Sequence, residues 1–181
     1  MAVNGEDLFR VSRADFLAGE LLAPTKSEWV DGVAYGQARA ARAHGRAATR
    51  IVALLAGTCA ERAWLLVGSD LLVETATGAL YYPDVVVSCA PSDDDRIEHN
   101  PCFIAEVLSP STSRIDRHEK RAAYCATGSM QDYWIVDVDA KVIEAWTRTD
   151  DGWVGGHRMS ADLVAVQCLG AEFQVVDVVG C

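Results

Sequence analysis

Residues 102–138, CFIAEVLSPSTSRIDRHEKRAAYCATGSMQDYWIVDV, contain the pattern that decides the fold. Two short apolar runs, Cys102 to Leu108 and Tyr133 to Val138, have the composition of buried strands. Between them, the segment SRIDRHEKRAAYCATG predicts a helix of about three turns that ends at Gly128. Apolar strands joined through a helix indicate a mixed β-sheet covered by helices, in an α/β or α+β fold.

The flanking sequence adds further elements to this centre. Residues 64–74 and 80–89 predict two more strands, separated by the turn-like TATG. The segment SEWVDGVAYG predicts an N-terminal hairpin that turns at Asp31-Gly32, and EAWTRTDDGWVGG predicts a C-terminal hairpin. Ser12 predicts the cap of a short first helix, and the alanine-rich residues 38–63 predict the longest helix.

Length and composition predict one domain that covers residues 1–181. The chain is 50% hydrophobic and 23% charged, which excludes disorder, collagen and coiled coil for the chain as a whole. Its longest runs without a charged residue have ten residues, whereas a membrane-spanning helix needs about 20. The first ten residues, MAVNGEDLFR, lack the basic start and apolar run of a secretory signal. We therefore expect a cytoplasmic protein.

Several enzyme classes lack their motifs in this sequence. The six cysteines and four histidines form no CxxC, CxH or HExxH pair, which disfavours a zinc protease and predicts free thiols. No GxxxxGK, GxGxxG or GxSxG segment is present. A P-loop NTPase, a dinucleotide-dependent enzyme and a serine hydrolase are therefore disfavoured as well.

The net charge of −10 conceals two basic segments. Residues 39–50 carry four arginines and no acid, and residues 113–121 carry a net charge of +2. The four arginines are three or four residues apart and predict one charged stripe on a helix, namely Arg39, Arg42, Arg46 and Arg50. We expect this stripe to bind DNA phosphates, and His44 beside it to contact a phosphate or act near the active site, unless it is an ordinary polar surface or packing residue. The alternative is a set of arginines that solvates a surface helix.

Two acidic residues lie within otherwise apolar strands. Asp84 follows Pro83 in LYYPDVVVSC, and Glu106 lies in CFIAEVLSPST. Burying a carboxylate among Val and Ile is costly unless a cation pairs with it. Two converging carboxylates favour a divalent cation, Mg²⁺ or Mn²⁺, which prefers oxygen ligands. The alternative is that each acid forms an ordinary salt bridge.

A family resemblance is carried, in this order, by EWVDG, a histidine near the next helix, YPDVVV and EVLSPSTSRIDRHEKRAAYCATGSMQDYWIVD. Between about residues 28 and 146, the chain resembles the Uma-type family of putative restriction endonucleases, within the PD-(D/E)xK nuclease superfamily. The resemblance implies a restriction-endonuclease-like fold, hydrolysis of DNA phosphodiesters with a bound Mg²⁺ or Mn²⁺, and a homodimer. It also implies site roles: Asp84 and Glu106 as metal ligands, Glu28 as an additional acid and Lys120 as the catalytic cation.

One position departs from the superfamily pattern. A lysine usually follows the second acid by two residues, on the same face of the strand, but Leu108 occupies that position. The resemblance makes Lys120 the replacement. Asp116, Lys120 and Tyr124 are four apart and predict one helical face, although Asp116 and Lys120 also fit an ordinary surface ion pair.

Three functions therefore fit the sequence. The first is a metal-dependent endonuclease that acts on DNA. The second is a protein that keeps the nuclease fold for binding or assembly without catalysis, which the net charge and Leu108 favour. The third is a metal-dependent hydrolase of a smaller phosphoester. For the homodimer, the aromatic strands between Tyr133 and Trp146 offer apolar surface.

Overall fold

The computed structural model describes residues 10–37, 41–109 and 115–180. Its helices are α1 (Arg13–Glu20), α2 (Arg42–Glu61), α3 (Arg121–Ala126) and α4 (Val175–Val179), with a π-helical turn (Asp116–Lys120) directly before α3 and a 3₁₀ turn (Gln167–Leu169) before the last strand. The strands are β1 (Ser27–Val30), β2 (Val33–Gly36), β3 (Leu65–Gly68), β4 (Leu72–Glu74), β5 (Leu80–Tyr81), β6 (Val85–Ser88), β7 (Ile97–Glu98), β8 (Phe103–Val107), β9 (Asp132–Asp137), β10 (Val142–Thr149), β11 (Gly152–Met159), β12 (Leu163–Val166) and β13 (Ala171–Gln174).

These strands form a central six-stranded sheet and two smaller ones. The central order is β11-β10-β9-β8-β6-β3, in which β8 and β9 are parallel and the other neighbours are antiparallel. The second sheet has the order β2-β1-β5-β4-β7, and β12 pairs with β13. The predicted fold class, a mixed sheet flanked by helices with N-terminal and C-terminal hairpins, is confirmed.

Local sequence signals explain the ends of the first elements. The Ser12 hydroxyl accepts a hydrogen bond from the backbone N–H of Asp15 and caps α1 as predicted. Asp31 and Gly32 both have positive φ angles, 48° and 88°, as a tight hairpin turn requires. The hairpin β1–β2 therefore turns where the sequence predicts, and it places Glu28 at a defined position on β1.

The two faces of the central sheet bury different clusters. On one face, α2 packs its apolar side against strand residues that include Val85, Phe103 and Trp134. The opposite face buries Val86, Ile104 and Tyr133 together with residues of α3. Because side chains alternate along a strand, Asp84 and Glu106 belong to this second face. The antiparallel register pairs Val85 with Ala105, so the preceding Asp84 lies beside Glu106.

Several boundaries differ from the prediction. The helix after β8 ends at Ala126 rather than at Gly128, because the backbone of Thr127 is already extended. The Thr127 hydroxyl donates a hydrogen bond to the carbonyl of Ala123. The predicted strand over residues 80–89 divides into β5 and β6 around Pro83, which cannot donate a ladder hydrogen bond. The predicted loop after Cys89 contains the short strand β7, which pairs with β4.

One further prediction is wrong for two cysteines, and another holds only in part. Cys89 and Cys102 form a disulfide between the end of β6 and the start of β8, where strand pairing brings their Cα atoms within 6.1 Å. Their separation by thirteen residues gives no sign of this pairing, whereas the prediction of free thiols holds for Cys59, Cys125 and Cys168. In the strands predicted to offer apolar surface to a second subunit, Tyr133 and Trp134 are buried, whereas Trp146 is half-buried.

Gly155 provides a test of packing in the C-terminal hairpin. It lies opposite Trp146, and a Cβ at this position would overlap the indole ring. Arg121 stacks on the same indole, 4.2 Å from its centroid. We expect Gly155→Ala to lower the free energy of unfolding by about 1–3 kcal/mol in urea titrations. At Gly156, the added Cβ meets only the flexible end of Arg158, so an equal loss in Gly156→Ala would contradict this account.

Within the described part of the chain, the helices are all too short or too polar to cross a lipid bilayer.

Candidate active site

Lys120 lies at the centre of a buried cluster of carboxylates. Its Nζ is 2.8 Å from Glu28 Oε1, 3.1 Å from Glu106 Oε1 and 3.6 Å from Asp116 Oδ1. Lys120 is 4% exposed and Asp116 is 1% exposed, so the alternative of a surface ion pair is wrong. Burial alone would lower the pKa of Lys120, but the surrounding carboxylates, Glu106 first, raise it above its usual value. The cluster therefore holds a charged ammonium group.

The π-helical turn positions this lysine. Single π-helical turns within α-helices are uncommon and occur often at functional sites. The turn ends at Lys120, and one helical turn later Tyr124 donates its hydroxyl to Glu106 Oε1 at 3.1 Å. Tyr133 donates its hydroxyl to the backbone carbonyl of Asp116 and holds the turn on the sheet. Lys120 and Tyr124 therefore reach the same carboxylate oxygen, as the prediction of one helical face requires.

Glu28 reaches the cluster from the second sheet. Its Oε1 accepts hydrogen bonds from Lys120, from the backbone N–H of Tyr82 at 3.1 Å and from the Gln37 amide at 3.2 Å. The N-terminal hairpin thus brings Glu28 to Lys120. Glu28 and Glu106 together hold the ammonium between the two sheets.

Asp84 is held by a different set of donors. Its Oδ2 accepts the backbone N–H of Val107 at 2.8 Å and lies 3.0 Å from His44 Nε2. The hydrogen bond to Asp84 raises the pKa of His44, although burial opposes this effect. His44 stands in the first turn of α2, so this helix reaches the site through its N-terminal end. Of the two functional roles predicted for His44, its contact with Asp84 agrees with the one near the active site.

The other residues predicted to bind DNA are in different situations. Arg42 and Arg46 are exposed near the beginning of α2. Arg50 is half-buried and directs a guanidinium N–H to the carbonyl of Val178, because this part of α2 packs against α4. Arg39 lies outside the described residues. The accessible part of the predicted stripe therefore consists of Arg42 and Arg46.

Comparison with known proteins identifies the family. The profile of the Uma2 family, described as "Putative restriction endonuclease", matches residues 14–174. This chain belongs to the Uma2 family. Two relatives from Synechocystis sp. are the "Uncharacterized protein slr1290", 29% identical over 92% of this chain and 90% of its own length, and the "Uncharacterized protein sll1609", 30% identical over 78% and 82%.

A solved structure shares the fold of this Uma2 member. It is the crystal structure of a putative nuclease belonging to DUF820 from Anabaena variabilis, with a TM-score of 0.75. The superposition covers 92% of this chain and 96% of that one at 16% identity. The fold of the Uma2 chain is therefore that of a nuclease-type structure, in agreement with the resemblance found in the sequence.

The charges of the Uma2 site fit a divalent cation. Four carboxylates converge, from Glu28, Asp84, Glu106 and Asp116, and the cations next to them are Lys120 and, when protonated, His44. Burial, followed by repulsion from the neighbouring acids, raises the pKa of Glu106 well above its usual value. Among the residues that the structure describes, the carboxylates thus outnumber the cations at the place where two strand carboxylates lie side by side. Oxygen ligands in this arrangement suit Mg²⁺ or Mn²⁺.

A cleft gives access to the His44 side of the site. Its volume is about 390 Å³, and its walls include His44, Leu108 and Arg117. Leu108, at the usual lysine position, packs with the second-face cluster while also lining this cleft. Asp137 and Asp139 line the cleft as well. Sequence reasoning missed this cleft, because its walls come from four separate segments.

The pair of His44 and Asp84 predicts a pH-dependent contribution to stability. Because folding raises the pKa of His44, the pair of His44 and Asp84 stabilises the folded state when the imidazole is protonated. This contribution is complete below the pKa of His44 in the unfolded state, about 6.5, and disappears as pH rises through its pKa in the folded state. We expect His44→Ala to lower the free energy of unfolding more at about pH 6 than at about pH 9 in EDTA. Urea titrations of wild type and variant at both pH values measure this, and an equal loss at both would contradict it.

Proposed function

We propose that this Uma2 member is a divalent-metal-dependent endonuclease that hydrolyses DNA phosphodiesters. The observation that carries the proposal is the convergence of Asp84 and Glu106 on one sheet face, with Lys120 Nζ 3.1 Å from Glu106. Family membership and the nuclease-type fold support the same reaction class. DNA as the substrate and the identity of the metal belong to the proposal.

Asp84 and Glu106 would hold the cation, Mg²⁺ or Mn²⁺. When bound there, such an ion polarises a phosphoryl oxygen and makes a coordinated water more acidic. Opposed residues of neighbouring antiparallel strands have Cβ atoms about 4.5–5.5 Å apart, which allows two carboxylates to share one ion. The N–H of Val107 and the ring of His44 hold Asp84 in place, and Tyr124 holds Glu106.

Lys120 supplies the positive charge that Leu108 cannot supply. Its ammonium is fixed between Glu28 and Glu106 before substrate arrives, so no charge must be reorganised during the reaction. A cation at this position stabilises the charge that develops on the phosphate oxygens. Glu28 acts in this account by positioning Lys120, since all its described hydrogen bonds join the one oxygen, Oε1.

The approach of DNA must overcome the net charge of −10. Arg42 and Arg46 are exposed on the same end of α2 that brings His44 to the cleft. Phosphate contacts of this kind position a duplex without reading its sequence. Cytoplasmic location and a homodimer remain predictions from the sequence, and light scattering of the purified protein measures the latter.

The test is cleavage of supercoiled plasmid by the purified protein. We expect nicked and linear products with Mg²⁺ or Mn²⁺ and none in EDTA. Cleavage of nucleotides or small phosphodiesters but not of plasmid would select the small-phosphoester hydrolase instead. No cleavage, together with no binding of either ion at millimolar concentration by calorimetry, would select a binding or assembly protein.

A further inference from the structure

Three cysteine sulfurs lie together at the opposite end of the two strands that carry Asp84 and Glu106. The Sγ atoms of Cys89, Cys102 and Cys168 are all within 4.8 Å of one another. Cys102 precedes Glu106 by four residues on β8, which corresponds to about 13 Å along a strand. This sulfur cluster is therefore separate from the candidate active site.

The three cysteines come from different parts of the chain. Cys89 follows β6 and Cys102 precedes β8, and these two are joined as a disulfide. Cys168 lies on the 3₁₀ turn after β12 and is a free thiol. Cys102 is 2% exposed, while Cys89 and Cys168 are half-buried, so the cluster extends from the core to the surface.

A buried carboxylate adjoins this cluster. Asp132, which is fully buried on β9, accepts the backbone N–H of Cys168 at 3.0 Å and the Thr147 hydroxyl at 2.9 Å. No lysine, arginine or histidine in residues 10–37, 41–109 and 115–180 forms an ion pair with Asp132. A buried carboxylate thus lies beside Cys168, and it has no ion-pair partner among the residues that the structure describes.

We propose that the reduced protein binds one Zn²⁺ ion through the thiolates of Cys89, Cys102 and Cys168. Thiolate sulfur is a preferred ligand of Zn²⁺, with Zn–S distances of about 2.3 Å, which places tetrahedral sulfurs about 3.8 Å apart. To reach this spacing the two bonded sulfurs separate and Cys168 approaches them. A water completes the fourth position, and the ion offsets most of the negative charge of the three thiolates.

The chemistry balances in two steps. A dithiol reductant breaks the Cys89–Cys102 bond, becomes a disulfide itself, and leaves a protonated thiol on each cysteine. Zn²⁺ then forms three Zn–S bonds and releases three thiol protons. Disulfides do not persist in reducing compartments, so the ion replaces the covalent link between β6 and β8 and adds a link to the 3₁₀ turn.

Cobalt absorption of the phosphine-reduced full chain tests the site. We expect one equivalent of Co²⁺ to produce the near-ultraviolet charge-transfer band of cobalt–thiolate bonds, and one equivalent of Zn²⁺ to remove it. Cys168→Ser should lose the band. Cys125→Ser, which alters a half-buried thiol elsewhere, and Glu106→Gln, which alters the candidate active site, should both keep it.

Two results would overturn the proposal: no such band in the reduced wild type, or an undiminished band in folded Cys168→Ser. If Cys168→Ser does not fold, Cys89→Ser, which alters the other half-buried cysteine of the cluster, should likewise lose the band. A Zn²⁺-dependent rise in the melting temperature, present in the reduced wild type and lost in these variants, gives a second measurement. Neither measurement depends on nuclease activity, so the two proposals fail separately.

Discussion

Replacing Glu106 by glutamine is expected to reduce plasmid nicking about 100-fold or more, because the variant loses a charged metal ligand worth several kcal/mol of transition-state stabilisation. Asp84→Asn, directly before the neighbouring strand β6, should reduce plasmid nicking by a similar factor. Both substitutions keep an oxygen that accepts the present hydrogen bonds, from Lys120 and Tyr124 to Glu106 and from Val107 to Asp84. The folded structure should therefore persist, and circular dichroism checks this directly.

The melting temperature, measured with and without Mn²⁺, separates metal binding from damage to the fold. In wild type, Mn²⁺ should raise the melting temperature, because an ion that binds only the folded state stabilises it by mass action. Glu106→Gln and Asp84→Asn should lose this rise. Glu74→Gln is the control, since Glu74 is a half-buried strand carboxylate that pairs with Arg13 outside the site. Folded Glu106→Gln and Asp84→Asn proteins that nick at the wild-type rate would refute the proposed chemistry.

The sequence was sufficient to predict Asp84 and Glu106 as neighbours. Strand patterns set both acids within apolar runs, and side-chain alternation then puts them on one face once β6 and β8 pair. The role of Lys120 was different, because no rule of spacing connects a strand carboxylate to a helix residue fourteen positions later. That link came from family resemblance alone, and the structure brings Lys120 Nζ within 3.1 Å of Glu106.

Other parts of the site depend on tertiary packing that local patterns do not encode. His44 lies between two arginines in the sequence. In the fold, the first turn of α2 lies next to Asp84, so the His44 ring contacts the Asp84 carboxylate. Its helix was predictable from apolar spacing, but the direction in which α2 crosses the sheet was not. The Cys89–Cys102 disulfide was missed for the same reason, since it depends on the register of β6 against β8.

Removing the Lys120 charge should cause the largest loss of stability. Lys120→Met leaves Glu28, Glu106 and Asp116 buried without their central cation, and breaking a buried ion pair in this way costs about 3–5 kcal/mol. Nicking should also disappear. Lys26→Met is the control, since Lys26 pairs with Asp70 at the exposed surface, where such pairs contribute about 0–1 kcal/mol. Urea titrations in EDTA near neutral pH measure both losses.

The loss in Lys120→Met should depend on pH in a direction that the carboxylates determine. Burial already raises the pKa of Glu106, and Lys120 opposes this rise, so the variant raises the pKa further. A carboxyl group whose pKa is higher in the folded state than in the unfolded state stabilises the fold most when it is protonated, below its pKa in the unfolded state of about 4.3. This contribution disappears as pH rises through its pKa in the folded state. We therefore expect the stability difference between wild type and Lys120→Met to be smaller at acidic pH than at alkaline pH.

A double-mutant cycle then shows which repulsion causes the loss. Adding Glu106→Gln to Lys120→Met removes one of the uncompensated charges, so the double variant should recover part of the stability that the single variant loses. Adding Glu74→Gln instead should recover none, because Glu74 pairs with Arg13 outside the cluster. Equal stability of both double variants, or a loss in Lys120→Met no larger than in Lys26→Met, would mean that Lys120 does not neutralise the cluster around Glu106.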